Sequence, residues 1–166
     1  MRFQMNFRRR GLLKSSVGLA CLFSVGISAG CSKSDTPRAA AKSAERVSVE
    51  LKEWGVTPDK RSVPAGGKVT FKAKNAGTME HELVILKTSY PIDALPTAEG
   101  KVKEEAAGDV IGEIEEFPPN EEREATFDLP PGSYILFCNV SEKGQTEGHY
   151  QKGMRAPFTV GPASGR

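Results

Sequence analysis

From Val47 onward, apolar residues alternate with polar ones over short stretches. Val47, Val49 and Leu51 fall on one side of an extended chain, as do Val69, Phe71 and Ala73, and later Ala125, Phe127 and Leu129. Successive strand side chains point to opposite faces, so a period of two predicts strands with one buried face. Leu83-Val84-Ile85-Leu86 lacks that alternation and predicts a strand covered on both sides. Further strands are expected within Val110–Ile114, over Tyr134–Cys138 and over Phe158–Val160. Pro64-Ala65-Gly66-Gly67 and Pro130-Pro131-Gly132 supply sharp turns between them. Ala94–Ala107 has room for only one or two helical turns. Short strands broken by frequent turns predict an all-β domain, a sandwich or barrel, over residues 47–160, with 161–166 as a tail.

The first thirty residues follow a different pattern. Arg2, Arg8, Arg9, Arg10 and Lys14 are basic with no acidic residue among them, and an uncharged run then extends from Ser15 to Gly30. A basic start, an apolar middle of about 7–15 residues and a small-residue exit describe an export signal. Spanning a bilayer takes about 18 or more consecutive apolar residues, and this run is interrupted by Ser and Gly. Residues 1–30 are therefore expected to be a signal peptide. Arg9-Arg10-Gly11-Leu12-Leu13-Lys14 resembles a twin-arginine export signal, and Ser28-Ala29-Gly30-Cys31 resembles a bacterial lipobox, although that family prefers Leu where Ser28 stands. The lipobox resemblance implies lipidation of Cys31 and a mature protein held to a membrane in the periplasm or cell envelope. Small, polar and charged residues over 31–46 suit a flexible tether.

Composition narrows the function classes. A chain of 166 residues has the length of one domain, and 17 Gly with 11 Pro favour turns over a helical bundle. The formal net charge is +2, too small for the basic footprint of a nucleic-acid binder. Without the five basic residues of the signal it becomes −3, so charge steering would favour a basic partner. The acidic residues Glu104, Glu105, Glu113, Glu115, Glu116, Glu121, Glu122 and Glu124 lie close together in sequence; they form either a solvated face or a docking patch.

Candidate chemistry gathers on few residues. With Cys21 in the signal and Cys31 assigned to lipid, the body holds one thiol, Cys138, at the end of an apolar strand. It also holds both histidines of the chain, His81 and His149, together with Met79 and Met154. A lone thiol in an exported protein is an oxidation liability unless something occupies it. Two imidazoles, a thiolate and a weak thioether are the donor set of a blue-copper site. Sulfur donors stabilise the soft cuprous ion, while imidazoles serve both oxidation states. Taken singly, each residue is more often a core or surface side chain than a ligand; the combination carries the assignment.

At these positions the chain resembles the cupredoxins, the plastocyanin and azurin family. The resemblance is carried by Pro131-Gly132-Ser133-Tyr134-Ile135-Leu136-Phe137-Cys138, by Gly148-His149-Tyr150-Gln151-Lys152-Gly153-Met154, and by Asn75-Ala76-Gly77-Thr78-Met79-Glu80-His81-Glu82-Leu83. It implies a Greek-key β-sandwich of about eight strands and one type 1 copper ion. His81, Cys138 and His149 would be the strong ligands and Met154 the long axial one. Met79, close to His81 in sequence, could compete as the thioether, but Met154 has the better spacing and Met79 is expected to cover the site. Ten residues separate Cys138 from His149 where simple plastocyanins have two, which is more like the long ligand loops of sulfocyanins and copper nitrite reductases. Glu82 follows His81 where azurin-type proteins often have Asn; its backbone N–H can still serve the thiolate, while the resemblance leaves open whether a side chain locks the two ligand loops. The implied function is a monomeric one-electron carrier, not an enzyme, exchanging electrons with a cytochrome or copper enzyme through the His149 edge. A periplasmic copper chaperone or storage protein is the alternative, and a metal-free adhesion sandwich a third reading.

Overall fold

The structure, a computed structural model, describes residues 44–162. The expected signal peptide, its lipidation point Cys31 and the tether up to residue 43 lie outside the described residues, as does most of the tail.

Two sheets face each other. The first has the order β2-β1-β4-β9, formed by β1 (Glu45–Lys52), β2 (Gly55–Pro58), β4 (Gly67–Asn75) and β9 (Glu122–Leu129). In the second, the order is β3-β11-β10-β5-β8, with β3 (Ser62–Val63), β5 (His81–Lys87), β8 (Asp109–Phe117), β10 (Gly132–Phe137) and β11 (Arg155–Val160). A small hairpin pairs β6 (Thr97–Ala98) with β7 (Lys101–Val102), and the four-residue helix α1 (Glu104–Ala107) follows it. The described residues thus hold the expected eight strands of four residues or more plus three of two residues. Those short strands, and β2 with its Gly55 and Pro58, are too brief to show an alternation. β1 starts at Glu45 because Glu45 and Arg46 already pair with Val69 and Thr70.

Alternating residues fill the space between the sheets. Val47, Val49, Leu51, Phe71 and Ala73 from the first sheet pack with Leu83, Ile85, Leu136, Phe158 and Val160 from the second. Each fully buried aliphatic or aromatic side chain contributes about 1.5–3 kcal/mol through removal from water. β5 bears out the reading of an unbroken apolar run: Leu83 and Ile85 face this core, whereas Val84 and Leu86 join a second cluster. That cluster, with Leu95, Val102, Ala107, Phe137 and Tyr150, lies where the segment after β5 folds back over the outer face. The Tyr150 hydroxyl pins this segment, donating to Ile92 O at 2.8 Å and accepting from Leu95 N at 3.1 Å. Among the described residues no helix is long and apolar enough to cross a membrane.

Candidate metal centre

Antiparallel pairing creates the site. β5 and β10 run side by side with Tyr134 opposite Lys87 and Phe137 opposite Val84, so the start of β5 meets the end of β10. His81 is the first residue of β5 and Cys138 follows the last residue of β10, 57 positions apart in sequence yet side by side. The loop from Cys138 to β11 returns His149 and Met154 to the same end. Its mouth is closed by Cys138 N donating to Met154 O at 3.1 Å and by Met154 N donating to His149 O at 3.0 Å. At its far end His149 N donates to Val140 O at 2.8 Å.

Three donor atoms converge. His81 Nδ1 and His149 Nδ1 are 3.2 Å apart, and Cys138 Sγ lies 3.3 Å from His149 Nδ1 and 3.9 Å from His81 Nδ1. The point equidistant from all three lies about 2 Å from each, close to a metal–imidazole bond length of about 2.0–2.1 Å as known for zinc. All three residues are completely buried, and so is Met154, in the same apolar cluster as Cys138. Met79 is half-buried beside them in sequence but outside that cluster.

The groups are in the form that a metal needs or displaces. Burial lowers the pKa of both imidazoles; His149 lowers that of His81 further, while Glu53 and Glu142 pull in the opposite direction. Neutral rings with a free nitrogen are the ligand form. Each Nε2 is buried without a well-aligned hydrogen bond, yet each has a carboxylate oxygen close by: Glu53 Oε1 at 3.3 Å for His81 and Glu142 Oε1 at 3.5 Å for His149. Those carboxylates favour the proton on Nε2, which turns the Nδ1 lone pairs inward. Burial pushes the Cys138 thiol up to about 12, partly countered by the backbone N–H groups of Glu82 and Val140. Such a thiol keeps its proton until a cation replaces it. With two imidazoles, one thiol and a thioether gathered in a fully buried pocket, the residues fit one type 1 copper ion.

A surrounding set of contacts fixes these ligands. Glu82 N points at Cys138 Sγ at 3.5 Å, the expected service to the thiolate. Beyond that expectation, the Glu82 carboxylate accepts from Asn139 N at 2.9 Å and so ties the two ligand loops together through its side chain. Asn139 Oδ1 accepts from Val102 N, and its Nδ2 donates to Val102 O and Glu104 Oε1, joining the loop to the β6–β7 hairpin. Asn75 Nδ2 donates to Met79 O at 2.8 Å and to Phe117 O at 3.0 Å, holding the segment before His81. Gly77 is required there: a Cβ would sit 2.6 Å from the Glu53 carboxylate and 2.8 Å from His81 Nε2.

Glu53 and Trp54 lie in the turn between β1 and β2; sequence reasoning misses the first and reads the second only as a core or rim aromatic. Glu53 Oε1 accepts from Thr78 N and Met79 N, both at 2.8 Å. Burial pushes its carboxyl up, but the backbone N–H groups of Glu53, Thr78 and Met79 outweigh this and hold it at about 2. The Trp54 ring meets His149 edge to face. The chain's single tryptophan, just after the predicted strand at Val47–Leu51, is the only sequence signal for either role. One expectation is corrected: His149 presents no exposed edge, because Trp54 and Glu142 cover it.

The fold and site define a class, a β-sandwich with a mononuclear metal centre buried at one end. A family model described as a cupredoxin-like domain matches residues 20–149, and the chain belongs to that family. The match stops short of Met154, which is buried in the same cluster as Cys138. No curated protein sequence matches the chain. Among solved structures, it is similar to reduced auracyanin from Roseiflexus castenholzii, with 23% identity and a TM-score of 0.51 over 72% of this chain and 98% of that one. Auracyanin A from Chloroflexus aurantiacus is 22% identical, with a TM-score of 0.47 over 71% of this chain and 99% of that one. Rusticyanin from Thiobacillus ferrooxidans is 18% identical, with a TM-score of 0.44 over 69% and 75%. At these identities the likeness is one of fold.

Proposed function

We propose that this chain is a one-electron carrier, in which His81, Cys138, His149 and Met154 would hold a single copper ion. The observation that carries the reading is the convergence of two imidazole Nδ1 atoms and one thiol within 3.9 Å of one another in a fully buried pocket. Copper supplies the one-electron couple. The protein's part is to deliver thiolate and neutral imidazole together, to exclude water, and to keep the donors still as the charge changes. Ligand loops tied by Glu53, Glu82 and Asn75 resist rearrangement, which keeps the structural cost of each transfer small.

The burial of every ligand favours a carrier over a chaperone or storage protein, whose cargo must enter and leave. It also favours a carrier over an oxidase, whose metal must meet a substrate. Under this reading the chain is exported, lipidated at Cys31 and tethered in the periplasm or cell envelope. Its partners are redox proteins such as a cytochrome or copper enzyme, and encounters of this kind are small and transient. The acidic stretch is then divided in its use. Glu121, Glu122 and Glu124 pair with Arg123, Lys72 and Arg46, whereas Glu113 and Glu115 on β8 remain exposed for a basic partner.

Loading the purified protein with Cu(II) tests the reading. An intense visible band from thiolate-to-copper charge transfer is expected, at one copper per chain, and Cys138→Ser abolishes it. A copper-bound but colourless wild type overturns the assignment. Mass spectrometry of the membrane fraction checks for a lipid on Cys31.

A further inference from the structure

The two imidazoles meet two different carboxylates. Glu53 Oε1, 3.3 Å from His81 Nε2, already accepts from Thr78 N and Met79 N at 2.8 Å each. Glu142 Oε1 stands 3.5 Å from His149 Nε2, and both of these atoms are buried with no other hydrogen-bond partner. The Glu142 side chain is not hidden as a whole: 40% of it is exposed, and its Oε2 faces Lys152 Nζ at 3.7 Å. A carboxylate with access to water has thus turned one oxygen inward, to a place where only the ligand ring can pair with it. Burying that oxygen costs free energy unless a donor faces it. Glu142 is one of the ten residues between Cys138 and His149, and Gln145 N donates to its carbonyl oxygen at 3.0 Å while His149 N donates to Val140 O at 2.8 Å. The long ligand loop therefore folds back on the histidine at its own end. It brings a carboxylate there that an interval of two residues could not supply.

We propose that Glu142 is a positioning residue that sets the reduction potential of the centre: it holds the Nε2 proton of His149 and favours Cu(II) over Cu(I), while Lys152 offsets part of its charge. This rests on the copper-carrier reading above. An imidazole whose N–H faces a carboxylate is the more basic ligand through its other nitrogen. Stronger donation from Nδ1 and a negative charge close behind the ring both favour the higher charge state, which lowers the potential. Lys152, on the outer side of Glu142, acts in the opposite direction. On reduction one electron arrives from the partner; the proton stays on Nε2 and no bond forms or breaks. Glu53, whose oxygen is shared with two amides, holds its segment in place, whereas Glu142 directs its inner oxygen to the ligand alone.

The test is Glu142→Gln, which keeps the shape and an acceptor but removes the charge, at a half-buried loop position where folding is little affected. Loss of a group that orients a metal-bound histidine weakens metal binding by about 10–100-fold. Cu(II) is expected to lose about tenfold more affinity than Cu(I), so the potential rises by about 59 mV, the one-electron equivalent of a factor of ten. Lys152→Gln should lower the potential instead. The control is Glu147→Gln, an exposed carboxylate of the same loop. In about 1 M salt, where the screening length is about 3 Å, it should leave the potential near that of the wild type. Potentials come from voltammetry in that salt, and the Cu(I) and Cu(II) affinities from separate chelator competitions. A further readout needs no electron transfer: the His149 Nε2–H resonance of the diamagnetic Cu(I) protein should move upfield in Glu142→Gln and stay in place in Glu147→Gln. A potential that Glu142→Gln leaves unmoved, or that Glu147→Gln moves as far, overturns the proposal, as does a resonance that does not shift. Should Glu142→Gln fail to fold, Lys152→Gln decides, and a potential at or above the wild-type value overturns it. A wild type that binds copper without the visible band overturns the carrier reading instead, and the spectrum, recorded before any potential, separates the two failures.

Discussion

The Glu82 carboxylate accepts a hydrogen bond from Asn139 N at 2.9 Å, while Glu82 N points at Cys138 Sγ at 3.5 Å. One residue thereby touches both the thiol and the backbone amide that follows it, and links the loop of His81 to that of Cys138. Replacing Glu82 by Ala removes the side-chain link and leaves Asn139 N unpaired. A loss of about 1–3 kcal/mol is expected, since a buried donor is left without its acceptor. Glu82→Gln keeps an acceptor and should recover most of it. Chemical denaturation of the two variants checks the order.

Glu53 holds the other ligand segment. Glu53→Ala frees the amides of Thr78 and Met79 and removes the carboxylate beside His81 Nε2. Copper affinity should fall by about 10–100-fold, as for the loss of other groups that orient a ligand. Competition against a chelator of known affinity measures this.

The Cys138 thiol is fully buried, and its pKa is raised to about 12, first by desolvation. Folded apo-protein should therefore be inert toward a disulfide reagent at neutral pH and react stoichiometrically once unfolded, because the thiolate is the reactive form. Loading with Cu(II) should release a proton from this thiol, visible in weakly buffered solution with an indicator dye. Rapid labelling of the folded apo-protein would show the thiol to be open.

Glu113 on β8 has its carboxyl pKa raised, first by burial and then by Glu115 and Glu104. A raised folded-state value means the protonated form is favoured by folding. That contribution is complete below the ordinary carboxylate range and is lost as pH rises through the folded value. Glu113→Gln should thus melt at a higher temperature than the wild type near neutral pH, with the difference vanishing in acid. The part owed to Glu115 and Glu104 should shrink with salt. Melting curves across pH and ionic strength supply the check.

Gly148 leaves no room for a side chain: a Cβ would lie 2.0 Å from Gly100 O and 2.8 Å from Val140 O. Gly148→Ala must push the β6–β7 hairpin away from the ligand loop. A cost of about 1–3 kcal/mol is expected for such overpacking, with a shifted visible band because His149 is the next residue.

Much of this centre was legible before any coordinates. Cys138, His149 and Met154 follow one another in a motif, and the alternation of Val47, Val49 and Leu51 is a direct image of a two-faced strand. The antiparallel neighbours β5 and β10, which bring His81 to Cys138, left no local mark, since strand partners are chosen by the whole core. Glu53 and Trp54 were invisible for the same reason: their importance comes from which loops the β1–β2 turn touches in space. The sequence leaves the Glu82 link open, because a carboxylate beside His81 departs from the Asn pattern, whereas its oxygen serves as the acceptor. The buried state of His149 depends on a tryptophan 95 positions earlier, which no motif around His149 could reveal.

The ligand loop ends where it begins. Cys138 N is bonded to Met154 O, and Met154 N to His149 O, so both ends are clamped to the sheet whatever lies between them. Residues 143–147, all exposed, form the outer arc beyond that clamp, while Glu142 stays against His149. The loop is in effect an exchangeable cassette: its outer arc can lengthen, shorten or change charge while the metal-facing ends keep their register. That separability explains how ten residues can stand between Cys138 and His149 without moving either from its place. It also gives evolution a way to change the centre's partners without rebuilding its ligands.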